Sequence, residues 1–166
     1  MINNPLHTRL CEEYGCDTPI VAFSSTKEVV AAASGAGGIG VLGATSLKPE
    51  ELRSAISYIR DQIDGKPFGV DLLVPASFVE GNSEDLNEMI PESHREFVKH
   101  IKNVSEAPDS PPPTLDPNYS GYENLLHRSR MQLEILFEEE VPIFASGLGS
   151  PAFILERAHQ QGMKVW

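Results

Sequence analysis

The chain has 166 residues, enough for one domain with a sizeable core, and its 40% hydrophobic content is ordinary for a soluble protein. A formal net charge of −11 argues against a phosphate-tracking nucleic-acid surface and against binding to anionic membranes. No apolar run approaches a membrane span and Met1-Ile-Asn-Asn-Pro is no signal peptide, so the expected location is cytoplasmic, with no nucleic-acid or membrane partner.

Thr8 to Tyr14 reads as a short leading helix stopped by Gly15. Cys11 and Cys16 are the only cysteines. With His7 as the one nearby histidine they lack a fourth zinc ligand, and the spacing is not CxxC, so they read as ordinary thiols and no metal is expected. Pro19-Ile-Val-Ala-Phe23 is the first strand candidate. Ser25-x-x-Glu28 has the form of a capping box and predicts a helix starting at Thr26. Val29 to Ser34, small and apolar, finishes that helix. Gly35, Gly37 and Gly38 then supply the left-handed or close-approach backbone of a helix end. Ile39-Gly-Val-Leu is short and charge-free, as expected of a strand covered on both faces. Gly35-x-Gly37-x-x-Gly40 matches the dinucleotide fingerprint GxGxxG, but that motif needs a strand before it and a helix after it. Here a helix enters and a strand leaves, so the match is set aside.

Leu52, Ala55, Ile56, Ile59 and Ile63 repeat at helical spacing, with Pro49 in the first turn and Gly65 past the end. Pro67 to Pro75 is the third strand. The rhythm then breaks. Residues 76–121 are polar and Pro-rich (Pro108, Pro111, Pro112, Pro113), with one helix expected over Glu92–Lys102, and an excursion this long reads as a lid-like or disordered insert. Glu123 to Glu140 resumes as a helix with Leu126, Leu133, Leu136 and Phe137 inward. Val141 to Ser146 is the fourth strand, Ser150-Pro151 opens the next helix, Gly162 closes it, and Met163-Lys-Val-Trp166 opens a fifth strand.

The order is βαβαβ, insert, αβαβ. Alternating strands and helices imply parallel pairing with right-handed crossovers. Two architectures fit: the first half of a (β/α)8 TIM barrel, or an open five-stranded doubly wound sheet. A full barrel takes about 250 residues, so this chain does not close one alone.

Ala31-Ala-Ala-Ser-Gly-Ala-Gly-Gly-Ile-Gly-Val-Leu-Gly43, Pro49-Glu-Glu-Leu52, Lys66-Pro-Phe-Gly-Val-Asp-Leu-Leu-Val-Pro75 and Val141-Pro-Ile-Phe-Ala-Ser-Gly-Leu-Gly-Ser-Pro151 resemble the nitronate monooxygenase family, formerly called 2-nitropropane dioxygenase. The resemblance spans nearly the whole chain and implies a TIM-barrel fold of which the first four βα units and the start of strand five are present. It also implies FMN held without a covalent link, a nitronate-like substrate and molecular oxygen. The matching region is the family's N-terminal half. The segment carrying the family's catalytic histidine and the phosphate-site loops fall beyond Trp166, so no catalytic residue is assigned and FMN binding by this chain alone is expected to be weak or absent. The corner Ala22-Phe-Ser-Ser-Thr26 is shorter than the one in many members. Asp71 stands where many have Asn, and a carboxylate donates no hydrogen bond unless protonated.

In a barrel, functional side chains sit at the C-terminal ends of strands. The cofactor-binding candidates there are Ala22, Phe23, Ser24, Asp71, Ser146 and Gly147. Asp71 interrupts an apolar strand, which either marks a site or leaves a partly wet carboxylate bonded to a neighbouring strand. Ser24 and Ser146 either reach a flavin carbonyl or serve local turn geometry. Gly147 either admits a planar ring or simply builds the loop. His94, His100 and His127 read as solvated surface residues, and Glu138-Glu-Glu140 as a solvated helix end that opposes the helix dipole. A second function class, a non-catalytic half-barrel that self-associates through exposed sheet edges, remains beside the flavoenzyme.

Overall fold

The computed structural model describes residues 6–74, 88–105 and 122–166, with the side chains of 122–126 outside that description. The chain divides into two compact units, 1–77 with 129–166, and 78–128.

The first unit is a parallel sheet. Its strands are β1 (Val21–Ser24), β2 (Ile39–Gly43), β3 (Phe68–Leu73), β4 (Ile143–Gly147) and β5 (Lys164–Val165). The helices are α1 (Arg9–Tyr14), α2 (Lys27–Gly35), α3 (Pro49–Ile63), α4 (Glu92–Val104), α5 (Tyr122–Glu138) and α6 (Leu155–Gln160), the last preceded by a 3-10 turn, Pro151–Ile154. Strand order is β1-β2-β3-β4-β5, every pair parallel. Each strand lies beside the one before it, which is the order of a barrel. A doubly wound sheet places the first strand inside the order. The alternatives left by the pattern are therefore resolved toward the barrel type.

Residues alternate between two faces. Leu42, Phe68, Val70, Leu72 and Phe144 point into the main core, where they meet Val30 and Ala31 of α2 and Leu52, Ala55, Ile56, Ile59 and Ile63 of α3. Leu133, Leu136 and Phe137 of α5 join them, as the helical spacing predicts. On the opposite face Ile39, Val41 and Ile143 are covered by Cys11 and Cys16, with Leu10, Tyr14 and Trp166 at the margin. Both thiols are buried and free. The leading helix ends at Gly15, whose φ is 71°.

The glycine corner after α2 works as its sequence suggests. Gly37 has φ 94° and its carbonyl accepts from the Asp17 and Thr18 amides. A Cβ on Gly40 would collide with the Val30 backbone, so α2 lies directly on β2. Ser34, fully buried at the end of α2, donates to Pro67 O at 2.7 Å and accepts the Gly40 amide at 2.9 Å. One hydroxyl thus fastens helix, second strand and the entry to the third. The helix before Gly35-x-Gly37-x-x-Gly40 and the strand after it agree with rejection of the dinucleotide motif.

Two local expectations need correction. The Ser25-x-x-Glu28 capping box does not form. The N-cap is Thr26 without a side-chain cap bond, and its amide is taken by the Ser24 hydroxyl at 3.0 Å. A returning carboxylate appears instead at α3, where Glu51 accepts the Lys48 amide at 2.8 Å. The acidic end of α5 is not merely solvated. Arg53 of α3 pairs with Glu138 and Glu139, and Arg60 donates to the Glu139 and Glu140 carbonyls. Cations from α3 thereby compensate both the side-chain charge and the helix dipole.

In the second unit the expected helix over Glu92–Lys102 forms as α4, Glu92–Val104. Pro108, Pro111, Pro112 and Pro113 of the expected insert, and the side chain of Leu126, lie outside the described residues. No helix among the described residues is long and apolar enough to cross a membrane.

Candidate site at the carboxyl ends of the strands

Parallel pairing puts the C-terminal tips of the first four strands on one edge. The register sets Ser24 beside Leu42, Gly43 beside Asp71 beside Ala145, and Leu73 beside Gly147. The face opposite the main core is covered by α1 near its lower strand positions, at Ile39, Val41 and Ile143. At the β1 edge it is open. Phe23 is 66% exposed and Val21 47% exposed, and both alternate onto this face. Phe23 lies against Gly43, where a Cβ would strike its ring.

The site candidates divide by this alternation. Phe23, Asp71 and Gly147 share the open face. Asp71 and Gly147 are neighbours, since a Cβ on Gly147 would stand 3.7 Å from Asp71 Oδ1. Ala22, Ser24 and Ser146 turn to the other face by strand parity. The Ser24 hydroxyl accepts the Thr26 amide, and the Ser146 hydroxyl donates to Gly149 O at 3.2 Å. Both serines therefore shape the turns that follow their strands.

Asp71 is the one charged residue of β3. Its carboxyl is half-buried, and burial pushes its pKa up from the ordinary aspartate value. Among the described residues, no hydrogen bond or neighbouring charge contributes to that shift. Desolvation of this kind disfavours the charged form of a carboxyl.

Three residues that sequence reasoning did not single out organise this rim. Gln132 of α5, fully buried, donates through Nε2 to Ala44 O at 2.9 Å and Leu47 O at 2.8 Å. Ser129, one turn earlier, donates to Leu73 O at 2.7 Å. Thr45 Oγ1 accepts the Leu73 amide at 3.3 Å. The loops after β2 and β3 are thus tied to each other and to α5. A signal was present: Ser129 and Gln132 are polar residues on the stripe set by Leu133, Leu136 and Phe137, where a core-facing helix is otherwise apolar.

Comparison with known proteins bears on the family and the fold. The Rv1533 protein of Mycobacterium tuberculosis, named as a monooxygenase, is 35% identical over 170 residues, covering 96% of this chain and 44% of its own length. A Staphylococcus aureus protein named as a nitronate monooxygenase is 33% identical over 85 residues, covering 48% of this chain and 24% of that protein. The chain therefore spans less than half the length of these relatives. Among solved structures, FabK from Thermotoga maritima superposes with a TM-score of 0.59 at 24% identity, covering 96% of this chain and 36% of that one. The enoyl reductase domain of MlnA from Bacillus amyloliquefaciens gives 0.53 at 16% identity, covering 94% of this chain and 27% of that one. These two likenesses concern the fold, and their coverage agrees with a partial barrel. The sequence profile of the nitronate monooxygenase family matches residues 5–164, and the chain belongs to that family.

Proposed function

We propose that this chain supplies the first βα units of an FMN-dependent nitronate monooxygenase, with the flavin lying across the strand tips. The observation that carries the reading is the partly exposed face at the tips of β2, β3 and β4, where Gly43, Ala145 and Gly147 surround Asp71. Phe23 covers Gly43 and Leu73 covers the Gly147 position, so a planar ring would lie beside these side chains, over Asp71 and Ala145. Phe23, Asp71 and the backbone around Gly147 would hold the ring. Bound FMN supplies the redox chemistry that joins a nitronate to molecular oxygen. The protein's part is to orient the ring, exclude water along the Phe23 side and keep the rim rigid through Gln132, Ser129 and Thr45. The family's location, with its buried free thiols, is proposed to be the reducing cytoplasm.

Titration of the 166-residue chain with FMN, followed by flavin fluorescence, tests this. Weak, saturable binding that is lost when Gly147 is replaced by a bulky residue is the expected result. Tight, stoichiometric binding by this chain, or weak binding unchanged by the bulky Gly147 variant, counts against it.

A second reading is favoured by one observation. Val21 and Phe23 are exposed apolar residues on β1, which pairs on one side only among the described residues. Such an edge recruits another strand. On this reading the chain is a non-catalytic half-barrel that self-associates. Light scattering decides: a concentration-dependent oligomer supports it, and a monodisperse monomer sinks it.

A further inference from the structure

We propose that Cys11 and Cys16 form a dithiol site that hydrogen peroxide oxidises to an intramolecular disulfide, reversibly by thiol reductants.

The turn at the end of α1 brings the two residues together. Gly15, with φ 71°, folds the chain back on the helix. The Gly15 and Cys16 amides then both donate to the Cys11 carbonyl, at 2.8 and 3.2 Å. The second bond closes a turn in which the side chain following the glycine meets one from the last helical turn. Both of those side chains are cysteines here, and the sequence has no others. They pack in one cluster against Ile39, Val41 and Ile143, 1% and 4% exposed. Each thiol lies within hydrogen-bonding reach of the other.

The two thiols are unlike. Burial pushes Cys11 up, but hydrogen bonds to its sulfur from the Thr8 backbone and hydroxyl and from the Cys16 thiol outweigh it, and Cys11 ends below the ordinary thiol value. Thr8 Oγ1 stands 3.7 Å from that sulfur. Cys16 is pushed up by burial and by its neighbour Cys11. Cys11 is therefore the attacking thiolate and Cys16 the resolving thiol. The Cys11 sulfur attacks one peroxide oxygen, the O–O bond breaks, and the departing oxygen leaves as water, giving a sulfenic acid. The Cys16 sulfur then attacks the Cys11 sulfur, the S–O bond breaks, and a second water leaves with the Cys16 proton. The two thiols give up two electrons and two protons, and one hydrogen peroxide becomes two waters.

Access comes through local opening of α1. A helix of six residues has little stability of its own. Opening it leaves the sheet intact and costs less than unfolding the whole unit. Because the turn is local, the two thiols leave the core together.

The test treats the 166-residue chain with a small excess of hydrogen peroxide, in urea concentrations below its unfolding transition, and follows free thiols and intact mass. Both thiols should be lost together and the mass should fall by two hydrogens. A peptide map should link Cys11 to Cys16, and dithiothreitol should restore both thiols. The rate should change little with urea while the sheet stays folded. Cys16→Ser should stop at a Cys11 sulfenic acid that dimedone traps, and Cys11→Ser should react more slowly. The proposal is overturned if the folded chain keeps its thiols, or if oxidation appears only with global unfolding. It is equally overturned if one thiol goes to sulfinic acid while the other stays free, or if the disulfide joins two chains. The wild-type chain gives each of these outcomes even if a variant misfolds.

Discussion

The Trp166 indole donates a 2.8 Å hydrogen bond to the Tyr14 hydroxyl, and the two rings meet edge to face with centroids 5.4 Å apart. The contact ties the first helix to the residue that extends β5, whose amide bonds Phe144 O and whose carbonyl accepts the Ser146 amide. Tyr14 and Trp166 are therefore expected to be coupled in stability. Trp166→Phe and Tyr14→Phe should each cost about 1 kcal/mol. The double variant should cost clearly less than the sum of the two. Urea denaturation of the four proteins measures it, and strict additivity would refute the coupling.

Gly40 and Gly35 sit at either end of one corner yet should respond oppositely to alanine. A Cβ at Gly40 meets the Val30 backbone, whereas at Gly35 it meets open space. Gly40→Ala should destabilise by about 1–3 kcal/mol, because α2 must lift off β2. Gly35→Ala, at a helical position, should be neutral or stabilising by up to about 1 kcal/mol. Thermal melts of both variants give the comparison; equal effects would mean that α2 yields at no cost.

Gln132 bonds two carbonyls of one loop. Gln132→Leu fills much the same volume but leaves Ala44 O and Leu47 O without this donor, at a cost of about 1–3 kcal/mol. The loss should be local as well as global. Hydrogen exchange in the loop between β2 and α3 should quicken more than in β2 itself. Unchanged exchange there would remove Gln132 from its role as a rim strut.

Asp71 gives the pH dependence of folding a definite sign. Its carboxyl holds a proton more tightly folded than unfolded, where aspartate titrates near about 3.9. Between that value and the raised folded value, the native state binds more protons than the unfolded one. Stability from this group is therefore greatest below the window and declines as pH rises through it. Glu134, bonded by Arg157 at 2.7 and 2.8 Å, is shifted the other way, and its contribution is lost as pH falls below the ordinary glutamate range. Asp71→Asn should remove the decline above pH ~4 and leave the acid-side loss intact. Chemical denaturation of both proteins across pH checks this, and parallel curves would contradict it.

Much of the sheet was legible in the residues. β2 was read with its observed bounds because Ile39-Gly-Val-Leu-Gly43 is apolar, short and bracketed by glycines. β1 was read early, at Pro19 to Phe23, and is observed at Val21–Ser24. Ile20 still contributes, since its carbonyl accepts the Ile39 amide, but regular pairing begins one residue later. The rim was less legible because its bonds are long-range. Nothing local in Gln132 announces carbonyls more than eighty positions earlier, and nothing in Ser34 announces Pro67. The countercharges for Glu138 and Glu139 likewise come from α3, so the acidic helix end looked unopposed when read along the chain. Barrel and doubly wound sheet differ only in which strands touch, a property that periodicity does not encode and that strand order settles.

Strand order also bears on how the molecule assembles. Because every strand pairs with its immediate predecessor, β1, β2 and β3 can dock in turn as the polypeptide emerges from the ribosome, each closing only a short connection. The step from β3 to β4 is different, since the second unit and α5 intervene. A connection several times longer adds roughly 1 kcal/mol of closure entropy. The three leading strands are thus expected to wait as a bare sheet edge at β3 until β4 arrives, and that pause is where a chaperone or an aggregating neighbour would find its opening.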